Sequence, residues 1–285
     1  MKYWILYGNL WVSAGAASMA YATSLMHHTP VKLSFILMVF FACLFVYNFH
    51  RVFRVGHIYG SKSSFRHHWI IENQKSIRAL TLLSGVLAFI LAIPSLSPSL
   101  LLTTLPFLLL VILYVMPLYQ KDGQWKRLRD IPFLKIFLIA TVWAFVTVQV
   151  PLAVSQPDSY MSAGFWLSFS QRFLFIFAIT LPFDIRDLAH DRQFGVKTFA
   201  SVLGVNRLKN LSHLLLIATL LVVYTGMQQG LYSMYHAAGM LVSIVGTGWL
   251  ISRVNETSSE FYYTALLDGT MIDQLFWIWL FGQFA

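Results

Sequence analysis

The sequence predicts an all-α, polytopic membrane protein with about nine transmembrane helices. Three observations carry that prediction. Hydrophobic residues make up 58% of the chain and charged residues only 11%, whereas soluble domains average about a quarter charged residues. The apolar residues fall into repeated runs at about 3–26, 33–53, 77–96, 100–119, 133–154, 161–182, 208–227, 232–251 and 261–282, each near the ~20 residues that a helix needs to cross the hydrocarbon. The basic residues gather in alternate connections between those runs.

Runs of this length are read as helices because no water is available inside a bilayer. Every backbone polar group there must be satisfied within the protein, and a helix does this within one segment. The first run, Tyr3 to Met26, has neither a short apolar core nor a small-residue cleavage site, so it is expected to stay as a span. The second run carries the single cysteine, Cys43. It excludes a disulfide within the chain and any zinc site of the usual spacing, and reads as a small packed hydrophobe. No low-complexity tract or linker divides the chain, so residues 1–285 are expected to form one domain.

The charges give the runs a direction. Arg51, Arg54, Lys62, Arg66, Lys75 and Arg78 follow the second run, and Lys121, Lys126, Arg127 and Arg129 follow the fourth, with Lys135 just beyond. Arg186, Arg192, Lys197, Arg207 and Lys209 follow the sixth, and Arg253 the eighth. The opposite connections hold one basic residue, Lys32. Under the positive-inside rule the N-terminus is cytoplasmic, with cytoplasmic loops at about 54–76, 120–132, 183–207 and 252–260. The net charge of +9 is thereby a matter of topology, with anionic membrane lipids as neighbours and no nucleic acid expected. Short loops and the lack of a transit peptide suit a bacterial plasma (inner) membrane. Oligomeric state is not encoded in any visible pattern.

The segment Leu181 to Gly204, LPFDIRDLAHDRQFGVKTFASVLG, is the richest in chemistry. Asp184, Asp187 and Asp191 are spaced i, i+3, i+7, which on a helix places them within about 60° of one another. Three carboxylates on one stripe repel each other, and a divalent cation relieves that. Mg2+ takes hard oxygen ligands and completes its shell with water or substrate phosphate. The competing reading is a solvated cap in which Arg186 and Arg192 pair with the carboxylates. Pro182 is expected to kink or end the preceding helix.

The order Asp184, Arg186, Asp187, Asp191, followed by Gly195, Lys197, Thr198 and Gly204, resembles the second aspartate-rich motif of the UbiA superfamily of intramembrane prenyltransferases. Arg186 before the second aspartate resembles the menaquinone branch in particular. The resemblance implies a nine-helix bundle around an apolar cavity, with Mg2+ as cofactor. It implies a polyprenyl diphosphate as donor and an aromatic or other lipid-phase acceptor, such as a quinone precursor. It makes Asp184, Asp187 and Asp191 the catalytic metal ligands. Arg186 and Lys197 become diphosphate contacts, as does Lys121, which follows Tyr114 and Tyr119 at the end of the fourth run; an interfacial aromatic belt accounts equally for those tyrosines.

The family's first motif has the form NDxxDxxxD at the end of the second span. Here Asn48 matches, but Phe49, Val52 and Gly56 occupy the aspartate positions. His50, Arg54 and His57 share a helical stripe instead, with Arg51 one turn beyond Asn48. Two readings follow: Asn48, Arg51 and Arg54 bind the substrate directly in place of a metal, or the arginines pair with the aspartates or anchor the helix end. A catalytically inactive protein that binds a polyprenyl lipid or scaffolds a membrane partner is therefore the alternative. His67 and His68 are adjacent, do not share a helical face, and read as loop residues.

Arg172 falls near the middle of the sixth run, with Asp268 and Asp273 inside the last. Charge at that depth marks a paired partner or a site. A buried pair between Arg172 and one of these aspartates is the expected arrangement, with an ion pathway, as in a transporter, as the alternative.

Overall fold

The computed structural model describes residues 2–30, 32–54, 65–96, 98–121, 124–128, 131–155, 162–193 and 196–285. Within these, the side chains of 50–54, 65, 67, 98–99, 102–103, 115, 117–119, 121, 124–127 and 190 are not described. Among the described residues, each predicted apolar run is helical over most of its length, the fourth ending in a strand. The first comprises α1 (Lys2–Tyr7) and α2 (Leu10–Met26), and the second is α3 (Leu33–Arg54). After α4 (Phe65–Glu72) come α5 (Gln74–Ala92) and α6 (Pro98–Val115). The fifth run is α7 (Leu134–Ala144), a π-helical turn (Phe145–Gln149) and α8 (Val150–Ser155). The sixth is α9 (Ala163–Gln193). A short α10 (Phe199–Leu203) leads to α11 (Val205–Gln228) and α12 (Met234–Arg253). The last run is a π-helical segment (Tyr262–Leu267) continued by α13 (Asp268–Gly282).

Five of the described helices are long and apolar enough by themselves to cross a membrane: Gln74–Ser95, Leu134–Ser155, Ala163–Ala189, Val205–Gln228 and Met234–Arg253. Among the described residues, the strands are those of a two-stranded antiparallel ribbon, β1 (Pro117–Lys121) with β2 (Gln124–Arg127), in the connection after α6.

Helix α9 lies at the centre. Phe175 to Ile179, Leu181, Ile185 and Leu188 are all buried, and the helix packs on α7, α10 and α11. The outer helices turn apolar side chains outward: Leu82, Leu83 and Phe89 on α5, Leu105 and Leu108 on α6, Leu214 and Leu221 on α11. A continuous apolar exterior of this kind suits lipid and would be a liability in water. The chain is an integral membrane protein.

α9 does not end at Pro182, one of the two expected outcomes; the helix continues to Gln193. Much of the segment expected as a loop at about 183–207 is thus helical. The missing amide bond of a proline is tolerated in a packed membrane bundle because neighbouring helices support the backbone, and Pro182 is buried. The aspartates consequently ride on a rigid extension of the central helix.

Asn48 is fully buried. Its Oδ1 accepts from Asn9 Nδ2 at 2.8 Å, and its Nδ2 donates to the Gly8 carbonyl at 3.1 Å. Asn9 itself has φ 65° at the break between α1 and α2. This amide pair satisfies polar groups that would otherwise be unpaired in an apolar setting, and so it fastens α3 to the α1–α2 corner. Tyr7, Trp69 and Ile77 then pack α1, α4 and α5 together, with Trp4 and Trp69 edge-to-face at 4.9 Å. Helix α4 is thereby seated against the bundle.

Small residues set the closest approaches. A Cβ on Gly239 of α12 would lie 2.5 Å from the Trp277 carbonyl oxygen of α13, whereas a Cβ on Gly246 of the same helix would meet nothing within 4 Å. Gly239→Ala is therefore expected to destabilise the protein by about 1–3 kcal/mol through overpacking, lowering the midpoint of thermal unfolding in detergent. Gly246→Ala should leave it unchanged or raise it slightly, since alanine favours a helix interior. Equal midpoints for the two variants would refute this packing account.

Candidate active site

The charged end of α9 meets α7, α10, α4 and the start of the last run. Asp184 is 2% exposed and Asp191 is 9% exposed; Asp187 is half-buried. Asp184 Oδ2 accepts from the Phe199 amide at 3.2 Å, and Lys135 Nζ of α7 stands 3.7 Å from Asp184 Oδ1. The local sequence makes that amide available. Thr198 and Ser201 form a reciprocal capping box at the start of α10, and Gly204, with φ 76°, turns the chain into α11. Capping leaves the Phe199 N–H pointing at the carboxylate rather than into the helix.

Asp187 is gripped by its own neighbour. Arg186 Nε donates to Asp187 Oδ1 at 2.8 Å and Nη2 to Oδ2 at 3.2 Å, a two-point contact. Lys135 also lies 3.9 Å from Asp187 Oδ2. The Arg186 guanidinium rests over the Phe183 ring at 5.0 Å and the Tyr263 ring at 5.8 Å. Its Nη1 stands 3.6 Å from Glu260, to which Arg66 of α4 donates at 2.6 Å. Asp268 is half-buried and lies within the electrostatic reach of Arg186 and Arg66. Arg192 pairs with Glu256 at 3.7 Å, with both side chains largely exposed.

The structure thus brings Asp184, Asp187 and Arg186 together on one surface of α9, with Asp191 at its end. Lys197 is exposed at the turn before α10. Asn48 stands apart, committed to Asn9 and Gly8. The side chains of Arg51, Arg54 and Lys121, and that of His50, lie outside the described residues, as does His57. Lys135, Arg66, Glu260 and the Phe199 amide complete the cluster but were not singled out as site residues from the sequence. One signal was available: with only 11 acids in the chain, each acid beside a surplus of arginines has a high chance of being gripped by one.

Among the described residues, no three His, Cys, Asp or Glu side chains converge as a ready-made metal cage. Mg2+ does not require one. It is commonly held by one or two carboxylates, with substrate phosphate and water as the remaining ligands, and the Asp184–Asp187–Asp191 surface provides that much.

Arg172 does not pair with either aspartate of the last run, and that expectation is corrected. It is 1% exposed; Nη1 donates to the Met19 carbonyl at 3.0 Å and Nη2 to Thr23 Oγ1 at 3.1 Å. Asp273 accepts instead from Trp277 Nε1 at 3.0 Å on its own helix. The physical reason is position: carbonyls and hydroxyls of α2 lie within reach of the guanidinium and share its charge without a second buried ion. Nearby, His27 Nε2 and Ser168 Oγ are 2.8 Å apart, as are Ser168 Oγ and the Tyr232 hydroxyl. Burial, reinforced by His28 and Arg172, pushes the His27 imidazole down to about 4, so it serves as a neutral partner.

Residues 73–279 match the UbiA prenyltransferase family. The chain belongs to that family. Its fold agrees: a UbiA homolog from Archaeoglobus fulgidus, solved with GPP and Mg2+, superposes with a TM-score of 0.67 at 10% identity, over 99% of this chain and 100% of that one. The apo structure of a UbiA homolog from Aeropyrum pernix K1 gives 0.62 at 14% identity, over 94% and 96%. A structure of digeranylgeranylglyceryl phosphate synthase gives 0.59 at 12% identity, over 100% of both chains. No curated protein sequence matches significantly. The chain is accordingly a UbiA-type membrane protein of the prenyltransferase class.

The Arg172 geometry predicts a failed rescue. Arg172→Asp should abolish folded yield in detergent, and adding Asp268→Arg or Asp273→Arg should not restore it. Recovery of monodisperse protein by either second change would reinstate the ion pair.

Proposed function

We propose that this UbiA-family protein transfers an isoprenyl group from a polyprenyl diphosphate to an aromatic or other lipid-phase acceptor, such as a quinone precursor. The observation that carries the reading is the Asp184–Asp187–Asp191 surface on α9, set against Lys135 and Arg186 at the charged end of an otherwise apolar bundle. An isoprenyl diphosphate has the complementary character: a long apolar chain with one multiply charged head. Asp184, Asp187 and Asp191 would hold Mg2+, which when bound neutralises charge on the departing diphosphate. Lys135, Arg186 and Lys197 would hold the phosphate oxygens. The C1–O bond of the donor breaks with its electron pair going to diphosphate, a carbon–carbon bond forms to the acceptor, and the acceptor carbon loses a proton. The apolar bundle excludes water, which would otherwise capture the allylic cation.

On this reading the charged end faces the cytoplasm with the N-terminus, and the protein resides as one domain in a bacterial plasma membrane. The charge asymmetry of the connections supports that orientation.

A second reading has a specific observation behind it. The aspartate positions of the first motif hold Phe49, Val52 and Gly56, and Asn48 is spent on bracing α3. These features favour a catalytically inactive relative that binds a polyprenyl lipid or scaffolds a partner.

Purified protein in detergent with Mg2+, geranyl diphosphate and a panel of aromatic acceptors separates the two. The enzymatic reading expects prenylated product and diphosphate release, with turnover falling by about 10²-fold or more in Asp187→Ala and in Asp184→Ala. Absence of turnover across the panel, with geranyl diphosphate still bound, establishes the inactive relative. Absence of both turnover and binding overturns the proposal.

A further inference from the structure

Helices α3 and α13 both pack on α2, and an apolar groove of about 240 Å3 runs between them. It is lined by Ala14, Ser18 and Tyr21 of α2, Ile36 and Phe40 of α3, and Leu275 of α13. Its walls can be followed toward the charged end. Phe40, Cys43 and Tyr47 are spaced i, i+3, i+7, and Asp268 and Leu275 are i, i+7, so each set shares one helical face. The groove therefore leads up to Tyr47 on one side and Asp268 on the other.

Both residues are fixed in place. The Tyr47 hydroxyl accepts from Trp143 Nε1 at 3.2 Å. Asp268 directly follows the π-helical segment Tyr262–Leu267, and widened turns of this kind recur at functional sites. Trp11 Nε1 of α2 donates to the Ala265 carbonyl at 3.0 Å, and a Cβ on Gly269 would lie 3.4 Å from the same indole nitrogen. One tryptophan thus holds the backbone on either side of Asp268. Among the described residues, the carboxyl itself has no hydrogen bond or ion pair. It stands within electrostatic reach of Cys43 and Tyr47 on α3, Arg66 on α4, Arg186 on α9, and Glu260 earlier in its own run. An ionisable side chain kept unpaired inside a membrane bundle is costly and marks a site.

We propose that Asp268 is the proton acceptor of the transfer reaction, with the acceptor ring standing between it and Tyr47 at the head of the groove. This assignment rests on the prenyl-transfer reading above. Once the C1–O bond of the donor has broken, an electron pair of the ring forms the bond to C1. The ring then carries one positive charge, and the attacked carbon still holds its hydrogen. Asp268 takes that proton, and the C–H electron pair returns to the ring and restores its aromaticity. The proton then leaves to solvent at the charged end. The negative carboxylate also favours the allylic and ring cations that precede its protonation. The aspartates of α9 are poorly placed for this step: Asp184 and Asp187 are held by Lys135, Arg186 and the Phe199 amide, on the surface assigned to metal and diphosphate.

The test uses the full chain in detergent with Mg2+, geranyl diphosphate and an aromatic acceptor, both unlabelled and deuterated at the attacked carbon. Asp268→Asn should lower kcat by about 10²-fold while calorimetric affinity for geranyl diphosphate with Mg2+ stays that of wild type. The isotope effect on kcat should rise above the wild-type value, because loss of the ring hydrogen becomes the slow step. A merely structural role would not move that ratio. Unaltered kcat, an unaltered isotope effect, or weakened geranyl diphosphate binding in Asp268→Asn each overturns the assignment while leaving prenyl transfer intact. Should Asp268→Asn fail to fold, Trp11→Phe decides. It removes the donor to the Ala265 carbonyl and lets Asp268 shift, so kcat should fall by about 10-fold with a raised isotope effect and intact binding; unaltered kcat overturns the assignment. Wild-type protein that turns over no acceptor refutes the broader reading, and the assignment with it.

Discussion

A carboxylate withdrawn from water must find donors within the protein, and the charged end of this bundle is arranged around that requirement at Asp184. The Phe199 amide and Lys135 meet it from two different helices. To deliver that amide, α10 must be capped by Thr198 and must turn into α11 at Gly204. To deliver the lysine, α7 must begin beside α9. The position of one buried carboxylate thus couples four helices, and the remaining charges extend outward from it as an alternating network. Buried charge is costly unless each ion is paired and hydrogen-bonded, which accounts for the length of that network.

The same rule governs other buried polar groups with different residues. The two terminal nitrogens of Arg172 donate to the Met19 carbonyl and the Thr23 hydroxyl rather than to a carboxylate. Asn9 and Asn48 satisfy one another and the Gly8 carbonyl. In a bilayer these polar contacts cannot be exchanged for water, so each acts as a fixed joint between helices. Apolar packing against lipid-like surroundings supplies little preference for one helix neighbour over another. Polar joints and close approaches such as Gly239 against Trp277 supply it instead.

Function follows from what has been kept and what has been replaced. The second aspartate motif stands on a helix that Pro182 does not interrupt, so its carboxylates are held by a rigid support. Of the first motif's positions, Asn48 braces α3, and Phe49, Val52 and Gly56 carry no carboxylate.

Membrane class, the helical runs and the one-sided distribution of basic residues were all readable from the chain, because they depend on composition and period alone. The Asp184, Asp187 and Asp191 stripe was readable for the same reason, since positions seven residues apart return to one helix face. Continuation of α9 through Pro182 was not, because local backbone preference opposes it and only surrounding helices overrule it. The partners of Arg172 and Asn48 were also out of reach. Both residues are held by backbone carbonyls or uncharged side chains distant in sequence, and such partners leave no pattern of charge to read. Arg66 and Glu260 are 194 positions apart. Nothing in the sequence joins them; the folding of α4 against α1 and beside the start of the last run does.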